Sequence, residues 1–408
     1  MKSVEMAVDE MVARLDQAAR KAERVVNLTP SETRMSPAAM RLLGSDFSNR
    51  YFFNEGHDPL FWEFRGGQEV GDVETAIAPA LFAPLAGTTY VNLRPLSGMS
   101  AMQSVILAAT RPGDTVVSIA PEAGGHYATA AHIERLGRVA VMIGSAAGQP
   151  DAEALHRVGS AALVYVDIQN TLHPIDVTGL AEELAAWASP ALLHVDCSHT
   201  LGLILGGKHP NPLMQGADSY GGSTHKTFPG PHKGVLFTRT EELHDCYRAA
   251  QFDFLSSHHF GATLALAVVA SQFAVYGPQY ASAVVENADR LGQLLEAAGA
   301  GVIRADETHV TYTHQVWVDV GPVEQVSAIT ARLADGGIKI NSQLRMPGVE
   351  GPLLRIGVNE CTLEGAGEES VDLLARYIAS AVRGDLVPGD AHERLRATFG
   401  PAAWESTQ

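Results

Sequence analysis

Apolar and polar positions recur at two spacings along this chain, and the spacing changes with position. Residues 4–25 repeat apolar side chains at helical intervals above a polar face, and Thr29-Pro30-Ser31 then marks a turn. Residues 68–83 also carry a helical pattern. From about residue 88 onward, short apolar runs alternate with helical stretches. Strands are predicted over 89–94, 114–120, 139–143, 163–168, 191–196 and 234–238, with helices over 99–109, 125–136 and 180–187. Strands joined by helical crossovers imply a mostly parallel sheet between helices. A long apolar helix is expected over 257–276 and a polar one over 280–298. Strands over 314–320 and 353–358, with helices over 323–336 and 368–382, then read as a smaller α+β unit. The expected organisation is an N-terminal helix and arm (1–40), a large domain (41–280) and a small C-terminal domain (281–408).

Length and composition agree with two cores. The chain has 408 residues, too many for one ordinary core, with 46% apolar and 18% charged residues. Its net charge of −17 repels phosphate backbones and anionic lipid, so neither nucleic acid nor a membrane surface is an expected partner. Cys197, Cys246 and Cys361 are widely spaced and odd in number, which suits neither a disulfide framework nor a metal site. The charged, interrupted start lacks a signal peptide's apolar core, and no apolar run reads as a membrane span. A soluble cytoplasmic protein is expected.

The chemistry concentrates at strand ends. Ser223-Thr224-His225-Lys226-Thr227-Phe228-Pro229-Gly230-Pro231 follows Val195-Asp196-Cys197-Ser198-His199, with Lys226 lying 30 residues beyond Asp196. A sheltered lysine amine, its pKa lowered by burial, is what an aldehyde cofactor needs as its covalent partner. A carboxylate ending an apolar strand, here Asp196, can keep a pyridine nitrogen protonated. Ser97-Gly98-Met99-Ser100 opens a helix after a strand and offers N–H groups and hydroxyls to a phosphate. Gly124-Gly125-His126 puts a flat imidazole at a strand–helix turn. Together these are the requirements of pyridoxal 5′-phosphate (PLP). Each also has a plainer reading: a solvated loop lysine, two ordinary helix caps and a structural histidine. Spacing alone leaves both readings open, and their shared placement at strand ends favours the cofactor.

The same residues give the chain a resemblance to the serine hydroxymethyltransferase family, within the fold-type I, aspartate-aminotransferase-like PLP enzymes, over roughly residues 25–380. Thr224-His225-Lys226-Thr227 followed by Gly230-Pro231 is similar to that family's signature, and Lys226 matches its Schiff-base lysine. Asp196 matches the aspartate at the pyridine nitrogen, His199 the histidine near the phenolic oxygen, and His126 the stacking histidine. Ser97, Gly98 and Met99 match the phosphate contacts, and Thr224 and Ser257 join the implied cofactor set. Leu28-Thr29-Pro30-Ser31-Glu32-Thr33 resembles the family's Leu-Ile-Ala-Ser-Glu-Asn, whose serine touches the substrate carboxylate, and Arg355 matches the arginine that grips it. His225, Tyr51 and Glu55 are implied in catalysis beside Lys226. The resemblance also implies a homodimer with shared active sites.

Several positions depart from the family. The segment after Tyr51 runs longer by about four residues and ends Phe64-Arg65-Gly66-Gly67, where the family ends Tyr-Tyr-Gly-Gly. Arg65 therefore puts a fixed cation where the family has a tyrosine beside the substrate, which points to a different or more anionic second substrate. His232 stands for an arginine, and Val358-Asn359 for Thr-Pro. Phe254-Leu255-Ser256-Ser257-His258-His259 replaces a glycine-rich segment. Several of these positions are where the family holds folate. The expectation is an amino-acid enzyme of this family doing folate-independent aldol or transaldol chemistry on threonine, serine or glycine. The alternatives are elimination or decarboxylation of an S-conjugated cysteine, as in lincosamide pathways, authentic hydroxymethyl transfer, and a non-catalytic PLP-binding paralogue.

Overall fold

The computed structural model describes residues 8–50, 52–53, 64–255, 258–344 and 346–407. Two sheets organise it. The larger has seven strands in the order Val91–Asn92, Gly234–Thr238, Ser219–Ser223, Leu192–Asp196, Leu163–Val166, Thr115–Ile119 and Val139–Ile143. Gly234–Thr238 runs antiparallel to both its neighbours, and the other pairs are parallel. The helices Gly98–Ala109, Thr129–Arg135 and Thr178–Ala185 make the crossovers, as the sequence pattern predicts. Central strands such as Leu163–Val166 are buried at every position, which is why they read as unbroken apolar runs.

The smaller sheet has the order Val26–Leu28, Ile338–Gln343, Leu353–Gly357, Gln315–Asp319 and Gly301–Ile303. Its first strand comes from the N-terminal arm and pairs in parallel, Leu28 opposite Ile340. This pairing carries the Ser31 segment toward the larger sheet. Pro30 then packs so closely on Gly357 that a side chain there would meet the Pro30 ring at 2.7 Å.

Three expectations are corrected. The two helices expected over 257–298 are one, Phe260–Ala297, which continues through Pro278 and position 280. Its apolar stripe is long enough to stay packed past the hydrogen bond that proline removes. By length and composition this helix could cross a membrane, contrary to the expectation, yet 67% of its apolar window is buried within the protein. The strand Ser219–Ser223 has no counterpart in the sequence reading. Ser-Tyr-Gly-Gly-Ser lacks an apolar run, but all five residues are buried. Gly222 holds φ +129, and a side chain there would collide with Ser198 and lie 2.7 Å from Asp196 Oδ1. Glycine is what lets this strand close against the carboxylate.

Candidate active site

One pocket lies at the carboxyl ends of the parallel strands, lined by Gly98, Met99, His126, Asp196, His199 and Lys226, together with Met102, Asp167, Ile168, Gln169, Ser198 and Ser223. Asp196 is held at both oxygens: the Tyr165 hydroxyl donates to Oδ2 at 2.8 Å and the Ser198 N–H to Oδ1 at 2.8 Å. Burial pulls the Lys226 amine down from its ordinary value to about 8, against Asp196, which raises it, and with Arg355, which lowers it. An amine so tuned has a large neutral fraction near pH 7.5, as a nucleophile and proton carrier needs.

The Gly98–Ala109 helix opens with a reciprocal cap. Ser97 Oγ accepts from Ser100 N–H at 3.1 Å, and Ser100 Oγ accepts from Ser97 N–H at 2.9 Å. The Ser97 hydroxyl thus shapes the helix end, leaving its first N–H groups for an anion. A side chain at Gly98 would collide with the Ser223 hydroxyl, so the backbone approaches closely here. The loop before this helix rests on a buried ionic cluster. Burial pushes Glu74 up, but His258 at 3.0 Å, Arg94 at 3.5 Å and Lys233 outweigh it and pull the carboxyl down to about 2. The Lys233 amine donates to Leu93 O.

Asp167, which sequence reasoning missed, fixes His126. It accepts from the His126 N–H at 3.3 Å, from Ser118 Oγ at 3.2 Å and from the Thr129 hydroxyl. Burial, together with Asp196, pushes its carboxyl up to about 7. The only signal was an acidic residue just past an apolar strand.

Arg355 is buried, and burial lowers its guanidinium to about 9, so it remains charged at neutral pH. Nε donates to Gln315 Oε1 at 2.8 Å, and Nη2 lies 3.2 Å from His199 Nδ1. Burial, with Lys226 and Arg355 nearby, holds His199 well below its ordinary value, so it is neutral and can accept. His199 also stacks on His314, with centroids 5.6 Å apart. Among the described residues no carboxylate reaches Arg355. A buried cation without a counter-ion is costly, and an incoming carboxylate relieves that cost. Gln315, also missed, orients the fork. Its oxygen takes Arg355 and the Trp317 N–H (3.1 Å), and its amide donates to Gln169 O at 3.0 Å.

Other expected residues lie outside the pocket lining. The Thr224 hydroxyl turns away to donate to Pro231 O at 2.7 Å. His225 stacks on exposed His232 at 3.8 Å, and burial, with His232 and Lys226, lowers it to about 3. Ser31 is half-buried beside Thr33, whose hydroxyl donates to Lys226 O. Arg65 is exposed in a two-stranded ribbon opposite Phe52. Tyr51, Glu55 and Ser257 lie outside the described residues. Asn359 Nδ2 donates to Glu32 O at 2.7 Å and Thr33 Oγ1 at 2.6 Å, tying the Ser31 arm to the end of the Arg355 strand. A proline there could make neither bond.

The residues fit PLP. Lys226 can take its aldehyde, Asp196 its ring nitrogen, His126 its ring face, and the Gly98 helix end its phosphate. An amine, an anchored carboxylate, a flat imidazole and a helix N-terminus converging at strand ends define a fold-type I PLP enzyme. Residues 4–147 match the family described as serine hydroxymethyltransferase. The chain is 47% identical over 384 residues to an L-threonine:uridine-5′-aldehyde transaldolase of an Amycolatopsis species, covering 93% of each. It is 33% identical over 379 residues to the serine hydroxymethyltransferase of Pyrobaculum calidifontis, covering 88% of this chain and 85% of that one. The solved structure of an L-threonine transaldolase from Pseudomonas fluorescens, in its internal aldimine state, is similar with a TM-score of 0.84 at 26% identity, covering 96% of this chain and 90% of that one. The chain belongs to the serine hydroxymethyltransferase family, and it is a PLP-dependent enzyme.

Proposed function

We propose that this enzyme is a folate-independent L-threonine transaldolase whose acceptor is a nucleoside-type 5′-aldehyde. The Cα–Cβ bond of threonine breaks and acetaldehyde leaves. A new bond forms between Cα and the acceptor's carbonyl carbon, whose oxygen takes up a proton to become a hydroxyl. PLP, when bound, supplies the electron sink for the pair released at Cα.

The chain's own residues do the rest. Arg355 binds the amino acid's carboxylate through the guanidinium edge left by Gln315, and Ser31 assists from the arm. That grip sets which Cα bond is presented for cleavage. Lys226 holds or moves a proton at Nζ, suited by its value of about 8. Asp196, held at both oxygens by Tyr165 and the Ser198 N–H, would partner the cofactor's ring nitrogen. The observation that carries amino-acid recognition is the buried Arg355 cation, without a carboxylate among the described residues, against His199 and Gln169 of the Lys226 pocket lining. Identities of 46–47% to three transaldolases, against 32–33% to hydroxymethyltransferases, favour the transaldol reaction. The acceptor named for those three relatives is uncharged, so an anionic partner for Arg65 has no place in this reading.

The test incubates PLP-loaded enzyme with L-threonine and uridine-5′-aldehyde, without folate. Acetaldehyde is followed by a coupled dehydrogenase, and the amino-acid product by mass spectrometry. Equimolar acetaldehyde and adduct are expected. Thiol and pyruvate from S-substituted cysteines, or turnover only with tetrahydrofolate, would overturn the proposal.

A cytoplasmic role in antibiotic-type metabolism and a homodimer belong to the same reading. The first helix buries no residue and exposes Val8, Met11, Val12 and Leu15, an apolar stripe suited to a second copy. A monomeric mass by light scattering would reject the dimer. Residues 41–280 would be the cofactor-holding domain, 281–408 the smaller one, and 1–40 the arm between them.

A further inference from the structure

The backbone of Lys226 is held from outside its own loop. Its carbonyl accepts from the Thr33 hydroxyl, and the next carbonyl, Thr227 O, accepts from the Tyr280 hydroxyl at 2.9 Å. The Thr33 oxygen in turn accepts from Asn359 Nδ2 at 2.6 Å, and the same amide donates to Glu32 O at 2.7 Å. Asn359 is fully buried and opens the helix that follows the Arg355 strand. One short chain of atoms therefore runs from the Arg355 strand, through Thr33 on the Ser31 arm, to the peptide of Lys226.

The two bonds of the Thr33 hydroxyl are separable. Toward Asn359 it is one of two acceptors on the arm, and Glu32 O is the other, so the arm stays tied without it. His314 Nε2–H also anchors the arm, at Pro30 O, 3.1 Å away. Thr33 Oγ1 lies 2.8 Å from Glu32 O as well, but that contact stays within the arm. Toward Lys226 the hydroxyl has no substitute, because nothing else among the described residues donates to Lys226 O. Both ends of the link differ from the motifs the chain resembles. Thr33 stands where the arm motif has asparagine, and Asn359 where the strand is followed by Thr-Pro. The side-chain amide has changed sides, and the hydroxyl left on the arm meets the lysine's backbone.

We infer that Thr33 is a positioning residue for Lys226: its hydroxyl fixes the lysine's peptide relative to the Arg355 strand, and so sets where the Lys226 amine meets an amino acid gripped by Arg355. A misplacement of ~1 Å at such a group costs on the order of a hundredfold in rate. The inference rests on the transaldolase reading for its substrate, and adds how the lysine and the carboxylate clamp are kept in register.

The test compares Thr33→Val, which keeps the shape and removes the hydroxyl, with Thr33→Ser, which keeps the hydroxyl. Acetaldehyde release from threonine is followed with uridine-5′-aldehyde present. Thr33→Val is expected to lower kcat about tenfold or more while KM for threonine stays within about threefold, because Asn359 still holds the arm through Glu32 O. The pH midpoint of the PLP-loaded enzyme's visible absorbance should move by about half a unit or more, since the lysine's charged surroundings change. Thr33→Ser should restore kcat to within about threefold and bring the midpoint back. If Thr33→Val does not fold, Thr33→Ala is read in its place, at a position that is only half-buried. A lower urea midpoint with kcat, KM and absorbance unchanged would make the bond merely structural and overturn the proposal. A rise in KM with kcat unchanged, or a serine variant no better than valine, also overturns it. A wild type that releases no acetaldehyde fails the transaldolase reading instead, and the absorbance midpoint then decides the role of Thr33.

Discussion

Replacing Arg355 by methionine should separate substrate recognition from stability, with opposite signs. The guanidinium is lowered from 12.5 to about 9 by burial, a charging penalty on the order of 5 kcal/mol. Its hydrogen bonds offset part of that. Removing it leaves two acceptors paired and costs neutral His199 its donor. Gln315 Oε1 keeps the Trp317 N–H at 3.1 Å and Gln169 O keeps Gln315 Nε2 at 3.0 Å, whereas the His314 Nε2–H is directed to Pro30 O at 3.1 Å. That lost bond, about 1 kcal/mol, is smaller than the charging penalty released. Methionine also fills much of the vacated volume. Substrate-free stability is therefore expected to hold or to rise by about 1–2 kcal/mol. Threonine binding loses a desolvated ion pair worth roughly 3–5 kcal/mol, or two to three and a half orders of magnitude in affinity. Urea unfolding at fixed PLP measures the first quantity, and the threonine dependence of acetaldehyde release the second. A variant that binds threonine within tenfold of wild type, or loses more than about 2 kcal/mol of stability, would refute the reasoning.

Three further outcomes follow from the geometry. Gly98→Ala puts a methyl 3.3 Å from Ser223 N and against the Ser223 hydroxyl, so PLP retention should fall at least about tenfold, read by absorbance after dialysis. Asn359→Ala deletes two hydrogen bonds between the Arg355 strand and the Ser31 arm. It should cost about 1–3 kcal/mol and raise KM for threonine more than it lowers kcat; an unchanged KM would mean the link is only structural. Acid should unfold the enzyme through buried neutral histidines. Burial lowers His194 and His209 to about 4, below the 6.5 of the unfolded chain, so unfolded protein takes up the proton first. Their contribution is full above pH 6.5 and declines toward pH 4, each by on the order of 3 kcal/mol, checked by urea midpoints across that range.

Much of the fold was legible because local period and burial coincide. Thr115–Ile119, Leu163–Val166 and Leu192–Asp196 are short apolar runs between helical stretches, and they became neighbouring parallel strands. Ser219–Ser223 escaped notice because its burial comes from strands on either side rather than from its own side chains. The break expected between residues 276 and 280 is absent, because tertiary packing carries one helix through Pro278. In the candidate site, Lys226, Asp196, His126 and Gly98, singled out because each stands at a strand end or helix start, line one pocket. The resemblance put Thr224 in the cofactor set, and no local pattern showed that its hydroxyl donates to the backbone of its own turn.

The chain by itself determined which reactive groups exist and the order in which strand ends present them, because periodicity and turn chemistry are local. Only tertiary structure decided what each group meets. Gln315 reaches Arg355 across 40 residues and Asp167 reaches the His126 N–H across 41. No carboxylate among the described residues meets Arg355. Desolvation depends on atoms brought together from distant segments. The same arginine would be an ordinary surface cation on an exposed strand, and here burial leaves it without a counter-ion among the described residues.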